Sequence, residues 1–198
     1  MKVVIIGGVA GGMSAAARLR RLDEQAEITV YEMSEHVSYA NCGLPYFVSD
    51  VISKRDALLL QTPTALWNRF RIKAKVRSKV TAIDRTNKTV TVQHLATGET
   101  FEDTYDKLVI STGARPRKLD IPGIERAMWL RNVTDADDVK AALNTLDRTG
   151  TANKSVAILG AGFIGIELAE NIAHMGIPVT IIQRSNSILG QFDPEMVQ

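Results

Sequence analysis

The chain has 198 residues, 45% hydrophobic and 23% charged, and its 24 basic and 22 acidic side chains leave a net charge of only +2. This composition excludes disorder, collagen-like repeats and coiled-coil fibres, and the length suffices for one large core or two small ones. Without a basic tail there is no footing for nucleic-acid binding, and a single cysteine excludes an internal disulfide or a Cys/His zinc cluster.

The first stretch, VVIIGGVAGGMSAAA, is uncharged and has the basic start and Ala-rich end of a secretory signal. Gly7, Gly8, Gly11 and Gly12 would break the apolar helix that such a signal needs. A strand buried on both faces, a glycine turn and a helix account for the same letters, and nothing reaches the length of a membrane-spanning helix. EITVYE reads as a second strand, which completes a βαβ unit in about thirty residues. Glu32 ends that strand 20 residues after Gly12, where a carboxylate can take ribose hydroxyls.

Cys42 follows in SYANCGLPYFV, beside Ser38, Asn41, Gly43 and Pro45, a loop poised to open a short helix. A lone cysteine serves as a core residue or as a reactive thiol, and a helix N-terminus favours thiolate. IKAKV, KVTAID and KTVTVQHL then read as three short strands of a β-meander, with turns at Thr86-Asn87 and Thr97-Gly98. DKLVIST returns to the buried-strand pattern and is expected to re-enter the first sheet. Thr134 to Asp137 has the form of a capping box that opens a helix through Leu146.

SVAILGAGFIGIELAENIAHMGIPVTIIQR repeats the opening pattern, with Gly176 ending its helix and Pro178 beyond. The first glycines of the two loops, Gly7 and Gly160, lie 153 positions apart, which indicates two similar domains and not a short-period solenoid. Gly160, Gly162 and Gly165 complete GxGxxG, whereas the first loop has Val9 in the middle position between Gly7 and Gly12. Such a loop brings backbone amides to a pyrophosphate at a helix N-terminus. The second unit carries Gln183, Arg184 and Ser185 where the first carries its acid. Arg184 can pair with the 2′-phosphate of NADP or remain a solvated residue after a strand. Arg18 and Arg21 share a helix face that by itself reads as solvated surface. His36, His94 and His174 have no metal-ligand spacing, so no metal site is expected.

In order, GGVAGGMSAAARLRRL, YE, SYANCGLPY, STGARP and GAGFIGIELAE resemble the flavin-containing pyridine-nucleotide disulfide oxidoreductases, and within them the single-cysteine coenzyme A disulfide reductase branch. The resemblance implies an α/β fold of two Rossmann-like βαβ units with an inserted meander, both domains incomplete, because only 14 residues follow Arg184. It divides the chain into an FAD-binding part over 1–115, a connecting segment with a helix over 116–150, and the start of an NAD(P)-binding domain over 151–198. It implies that Gly7, Gly8, Val9, Ala10, Gly11 and Gly12 cradle the FAD pyrophosphate and that Glu32 holds its ribose. Val80, Thr112 and Gly113 would line the same cofactor, with Asn41 beside the redox nucleophile Cys42. Ser14, Arg18, Arg21, Ser38 and Asn41 match coenzyme A-holding positions, with a further basic contact expected near Arg69 to Arg71, where Phe70 aligns. Gly160, Gly162, Phe163, Ile164, Gly165 and Glu167, with Gln183 and Arg184, would bind NADPH or NADH.

The implied activity is NAD(P)H-driven reduction of coenzyme A disulfide, or of a persulfide or polysulfide, through a Cys42 mixed disulfide in a cytoplasmic homodimer. A Cys42 sulfenic acid, as in NADH peroxidases and oxidases, is the alternative, although those enzymes place a histidine where this chain has Ala10. A non-catalytic redox sensor is a third reading, separated from the others by whether NAD(P)H reduces the flavin.

Overall fold

A computed structural model describes residues 1–117, 119–146 and 154–197. The chain begins with strand β1 (Lys2–Ile6), helix α1 (Ala10–Leu22) and strand β2 (Glu27–Tyr31). A 3-10 turn at Asn41–Gly43 leads into α2 (Leu44–Val48), followed by α3 (Pro63–Phe70) and β3 (Ile72–Lys75). Strands β4 (Ser78–Asp84), β5 (Thr89–His94), β6 (Thr100–Thr104) and β7 (Lys107–Ile110) come next. Helix α4 (Val133–Thr145), β8 (Val156–Leu159), α5 (Phe163–His174) and β9 (Val179–Ile182) complete the regular elements. The backbone divides into two compact units, Met1–Ala40 with Leu59–Arg115, and Asn41–Leu58 with Pro116–Gln198. The expected boundary at residues 150/151 lies outside the described residues.

In the first unit four parallel strands take the order β3-β2-β1-β7, so the chain does re-enter the sheet beside β1 after the meander. Alternation along β1 decides both cores. Val3 and Ile5 face Met13, Ala16, Ile28, Val30, Leu66 and Ile72. Val4 and Ile6 face Tyr31, Val90 and Val92, with Phe101 and Leu108 packed around them. These four of the five β1 residues are buried, as an unbroken apolar run in a parallel sheet requires.

Two expectations are corrected. IKAKV does not join the meander: β3 pairs in parallel with β2, Ile28 against Ile72, and the three antiparallel strands are β4, β5 and β6. Lys73 and Lys75 alternate with Ile72 and Ala74 because β3 is an edge strand, and that alternation matches a half-exposed meander strand. Helix α4 is capped by Asn132 and not Thr134. The Asn132 side chain accepts from Asp135 N–H at 2.9 Å, and the Asp135 carboxylate accepts from Asn132 N–H at 3.2 Å. Asp137 is held instead by the guanidinium of Arg55 at 2.8 Å.

Tyr31, Asp103 and Lys2 tie the sheet to the meander. The buried Tyr31 hydroxyl donates to Asp103 Oδ2 at 2.7 Å, and Lys2 Nζ donates to Oδ1 at 2.5 Å. Burial, then the Asp103 contact, pushes the Tyr31 hydroxyl far up, so it stays protonated. At Asp103 burial acts upward, but hydrogen bonds from Lys2 and Tyr31 and the charges of Lys2 and Lys75 outweigh it and hold the carboxyl below its ordinary value. A lowered folded-state value stabilises above the unfolded value of 3.8 and stops doing so as pH falls through the folded one. Thermal melts of the chain should therefore show an acid limb beginning near pH 4 that flattens in Asp103→Asn. Asp103→Ala should cost about 1–3 kcal/mol at neutral pH, because it leaves the Tyr31 hydroxyl buried and unpaired.

Candidate dinucleotide loops and redox thiol

At the end of β1, Gly7 turns with φ +103° while its N–H donates to Tyr31 O at 2.8 Å. A Cβ there would lie 2.0 Å from the Ser111 carbonyl oxygen, and one on Gly12 would lie 1.8 Å from the Gly7 carbonyl oxygen. The turn therefore admits only glycine at these two points and brings α1 hard against the strand end. Gly8 N–H donates to Glu32 Oε2 at 2.7 Å and Ser34 N–H to Oε1 at 2.8 Å, so the acid at the end of β2 clasps the loop. Glu32 is 7% exposed. Ser38, at φ +48°, donates its N–H to Gly8 O at 2.8 Å.

The second unit repeats this construction. Gly160 turns with φ +106°, and its N–H donates to Ile182 O at 2.9 Å. A Cβ on Gly165 would stand 2.2 Å from Gly160 O. Ala161 N–H donates to the Gln183 side-chain oxygen at 3.1 Å, where the first loop uses Glu32. Leu189, at φ +45°, donates to Ala161 O at 2.8 Å, as Ser38 does to Gly8. Gln183 Nε2 in turn donates to Ser185 Oγ at 2.8 Å. The acceptor that closes the turn changes character between the copies: a carboxylate in the first is a carboxamide in the second. Gly162 caps α5, and a Cβ on it would meet open space. Phe163 and Ile164, each 53% exposed, begin the helix, with Phe163 edge-on to Phe192 at 5.7 Å. Glu167 follows on α5, and Arg184 is exposed beyond β9.

Cys42 is exposed on its 3-10 turn, and the Asn41 Oδ1 beside it is buried without a hydrogen-bond partner. Ser14, Arg18 and Arg21 are exposed along one face of α1. Their neighbour Arg20 is different. Its guanidinium donates to the carbonyls of Phe70, Asp23, Glu24, Ala26 and Arg71, fastening the end of α1 to the end of α3. Arg69 lies 5.0 Å from the Phe70 ring centre and Arg71 5.3 Å from that of Trp67, both exposed, so basic charge flanks Phe70 on either side. Thr112 and Gly113 are exposed after β7, whereas Val80 is half-buried against the second apolar cluster. Ser111 escaped the sequence reading. It crowds both Gly7 and Gly11, and its signal was its place at the end of a strand returning beside β1.

Among the described residues no group of three His, Cys, Asp or Glu could hold a metal ion, and no helix is long and apolar enough to cross a membrane. The sequence profile described as pyridine nucleotide-disulphide oxidoreductase matches residues 1–198. A coenzyme A disulfide reductase of Staphylococcus epidermidis is 36% identical over 197 residues, covering 100% of this chain and 44% of its own length. The chain thus spans less than half the length of this curated relative. Reduced CoADR-RHD of Bacillus anthracis superposes with a TM-score of 0.92 at 43% identity, covering 99% of this chain and 35% of that one. An NAD-dependent persulfide reductase from A. fulgidus gives 0.90 at 34%, covering 100% and 37%. An engineered water-forming NADPH oxidase, derived from the Lactobacillus brevis NADH oxidase, gives 0.89 at 29%, covering 100% and 43%.

Gly7 and Gly162 should respond differently to alanine. Gly7→Ala combines a positive φ with a backbone clash and should lower stability by about 2 kcal/mol or more in denaturant melts. Gly162→Ala has an ordinary φ and open space, so the melt should change by less than about 1 kcal/mol.

Proposed function

The chain belongs to the pyridine nucleotide-disulphide oxidoreductase family, and on that premise we propose that it carries the cofactor loops and redox thiol of an FAD-dependent NAD(P)H oxidoreductase that reduces coenzyme A disulfide. The observation that carries this reading is the repeated loop, closed on Glu32 in one copy and on Gln183 in the other. The residues fit the groups assigned to them. No side chain caps α1 and no acid stands in its first turn, so the N–H groups beyond Val9 and Ala10 are left for a pyrophosphate. The open space at Gly162 suits the second pyrophosphate. Bound FAD would supply the two-electron link between a nicotinamide hydride and sulfur.

Within these 198 residues Cys42 has no second cysteine with which to close a disulfide. Its thiolate attacks one sulfur of coenzyme A disulfide, forming the Cys42–S–S–CoA bond and releasing one coenzyme A thiolate. Two electrons and a proton, originating in the nicotinamide, cleave that bond and return the Cys42 thiolate with a second coenzyme A thiol. Ser14, Arg18, Arg21 and Ser38 hold the substrate, the two arginines at its phosphates. The neighbour described as a persulfide reductase supports coenzyme A persulfide as a second substrate, in which the Cys42 thiolate attacks the inner sulfur, forms the same Cys42–S–S–CoA bond and releases hydrosulfide.

Gln183 and Arg184 favour NADPH. A carboxylate beside the ribose repels a 2′-phosphate, whereas a carboxamide does not, and Arg184 can pair with it. In the engineered NADPH oxidase an Asp-Ala-Met triplet is replaced by Ala-Arg-Ser, eighteen residues after a glycine replaced by alanine. Here Gln183-Arg184-Ser185 stands the same eighteen residues after Gly165, which supports this use of Arg184.

The holoenzyme should purify yellow with FAD, and its kcat/KM should be at least as high for NADPH as for NADH. Arg184→Ala should lower the NADPH value alone, and a strong NADH preference in the unaltered enzyme would sink this assignment. Each well-formed charged contact to phosphate contributes about 1.5–3 kcal/mol, so Arg21→Ala should weaken coenzyme A disulfide about tenfold or more while sparing a phosphate-free disulfide. Cys42→Ser should abolish disulfide reduction and leave flavin bound and reducible by NADPH. Equal losses on both disulfides, or an active Cys42→Ser enzyme, would overturn the substrate or the mechanism respectively.

A further inference from the structure

Helix α2, which follows Cys42 directly, has only five residues and cannot hold its own position. Packing within the second unit must do so. Leu44, Phe47 and Val48 are buried, as are Ala136, Val139 and Leu143 of α4 and Ala169 and Ile172 of α5. Apolar burial is non-directional and specifies register less sharply than a hydrogen bond does. Polar contacts fix the position. From α4, Lys140 Nζ donates to Phe47 O at 2.9 Å and to Asp50 Oδ1 at 2.6 Å. From α5, Asn171 Oδ1 accepts from Ser49 Oγ at 2.5 Å while its Nδ2 donates to Glu167 O at 2.8 Å.

Asn171 is the anomaly among these. It is 3% exposed, in the interior of a helix where asparagine is a poor former, and beside Ile172 at 1%. An apolar residue would pack there and be indifferent to where α2 lies. The carboxamide is not indifferent, because a shift of α2 along α5 takes the Ser49 hydroxyl from an oxygen on a side chain only 3% exposed. Ser49 caps the C-terminal end of α2 and can also reach Tyr46 O at 3.2 Å, so it has somewhere else to turn, whereas Asn171 Oδ1 has Ser49 as its described partner.

We propose that Asn171 is a positioning residue: through Ser49 it fixes the register of α2 on α5, the helix that opens at the second glycine loop, and so sets the presentation of the Cys42 thiol. The inference deepens the reading of Cys42 as the reacting group, but its test needs neither flavin nor disulfide substrate, so the two can fail separately. Cys42 is the chain's sole cysteine, so the rate of thiol modification by dithiobis-nitrobenzoate in the intact chain reports on it alone.

Ser49→Ala and Asn171→Leu should each change that rate by about threefold or more and in the same direction. The double variant should change it no further, because the two residues act as one contact. Ser49→Thr keeps the hydroxyl and should restore the rate. Ser49 lies at the helix end, so Ser49→Ala should retain the far-ultraviolet dichroism and melting profile of the parent and keeps the test open if Asn171→Leu fails to fold. Unchanged rates in folded variants, additive effects in the double variant, or failure of threonine to rescue would each overturn the proposal.

Discussion

A parallel strand that ends in a buried turn must bring the following helix back against the strand's own last carbonyl, and the rest of the structure follows from that crowding. At Gly12 and Gly165 a single added carbon would stand 1.8 and 2.2 Å from the carbonyl oxygens of Gly7 and Gly160. Only a chain bare at these points can close the turn, and once closed it aims the amides of the first helical turn outward. The turn also fixes the next contact. Its second residue, Gly8 or Ala161, presents an N–H to the end of the neighbouring strand, where an acceptor is needed. Glu32 and Gln183 both satisfy it, so the scaffold leaves the charge at this position free to vary. The proposed discrimination between ribose hydroxyls and a phosphate can then change without disturbing the fold.

The sequence made this much legible because close packing leaves a strong trace in residue type. An unbroken apolar run, four glycines and an acid twenty positions on have few structural solutions. Elements governed by weaker constraints were read less well. The alternation of IKAKV is shared by an edge strand and a meander strand, and only the pairing of Ile72 with Ile28 separates them. At the start of α4, Asn132–Asp135 and Thr134–Asp137 offer two capping boxes in overlapping frames. The better N-cap residue took the first, and the tie to Arg55, 82 positions away in sequence, claimed Asp137. Long-range claims of that kind leave no local mark.

The arginines of α1 show the same limit within four residues. Arg18, Arg20 and Arg21 are chemically alike, and helical spacing only separates their directions. The structure gives Arg20 five backbone carbonyls at the ends of α1 and α3, which makes it a fastener of main chain. Arg18 and Arg21 remain exposed on the face that includes Ser14. The residue kept for structure is thus the one whose guanidinium can reach several helix-end acceptors at once, and the two left over are those suited to an anion.

Asn171 extends this reasoning from charge to position. A polar side chain in an apolar contact adds little cohesion over a well-packed leucine, but it makes every displaced arrangement worse. The short helix after Cys42 needs that kind of constraint, because its five residues cannot hold a position alone and apolar burial is non-directional. What holds a thiol at a reproducible orientation can therefore be one hydrogen bond, between Ser49 and Asn171, whose importance lies in the alternatives it removes.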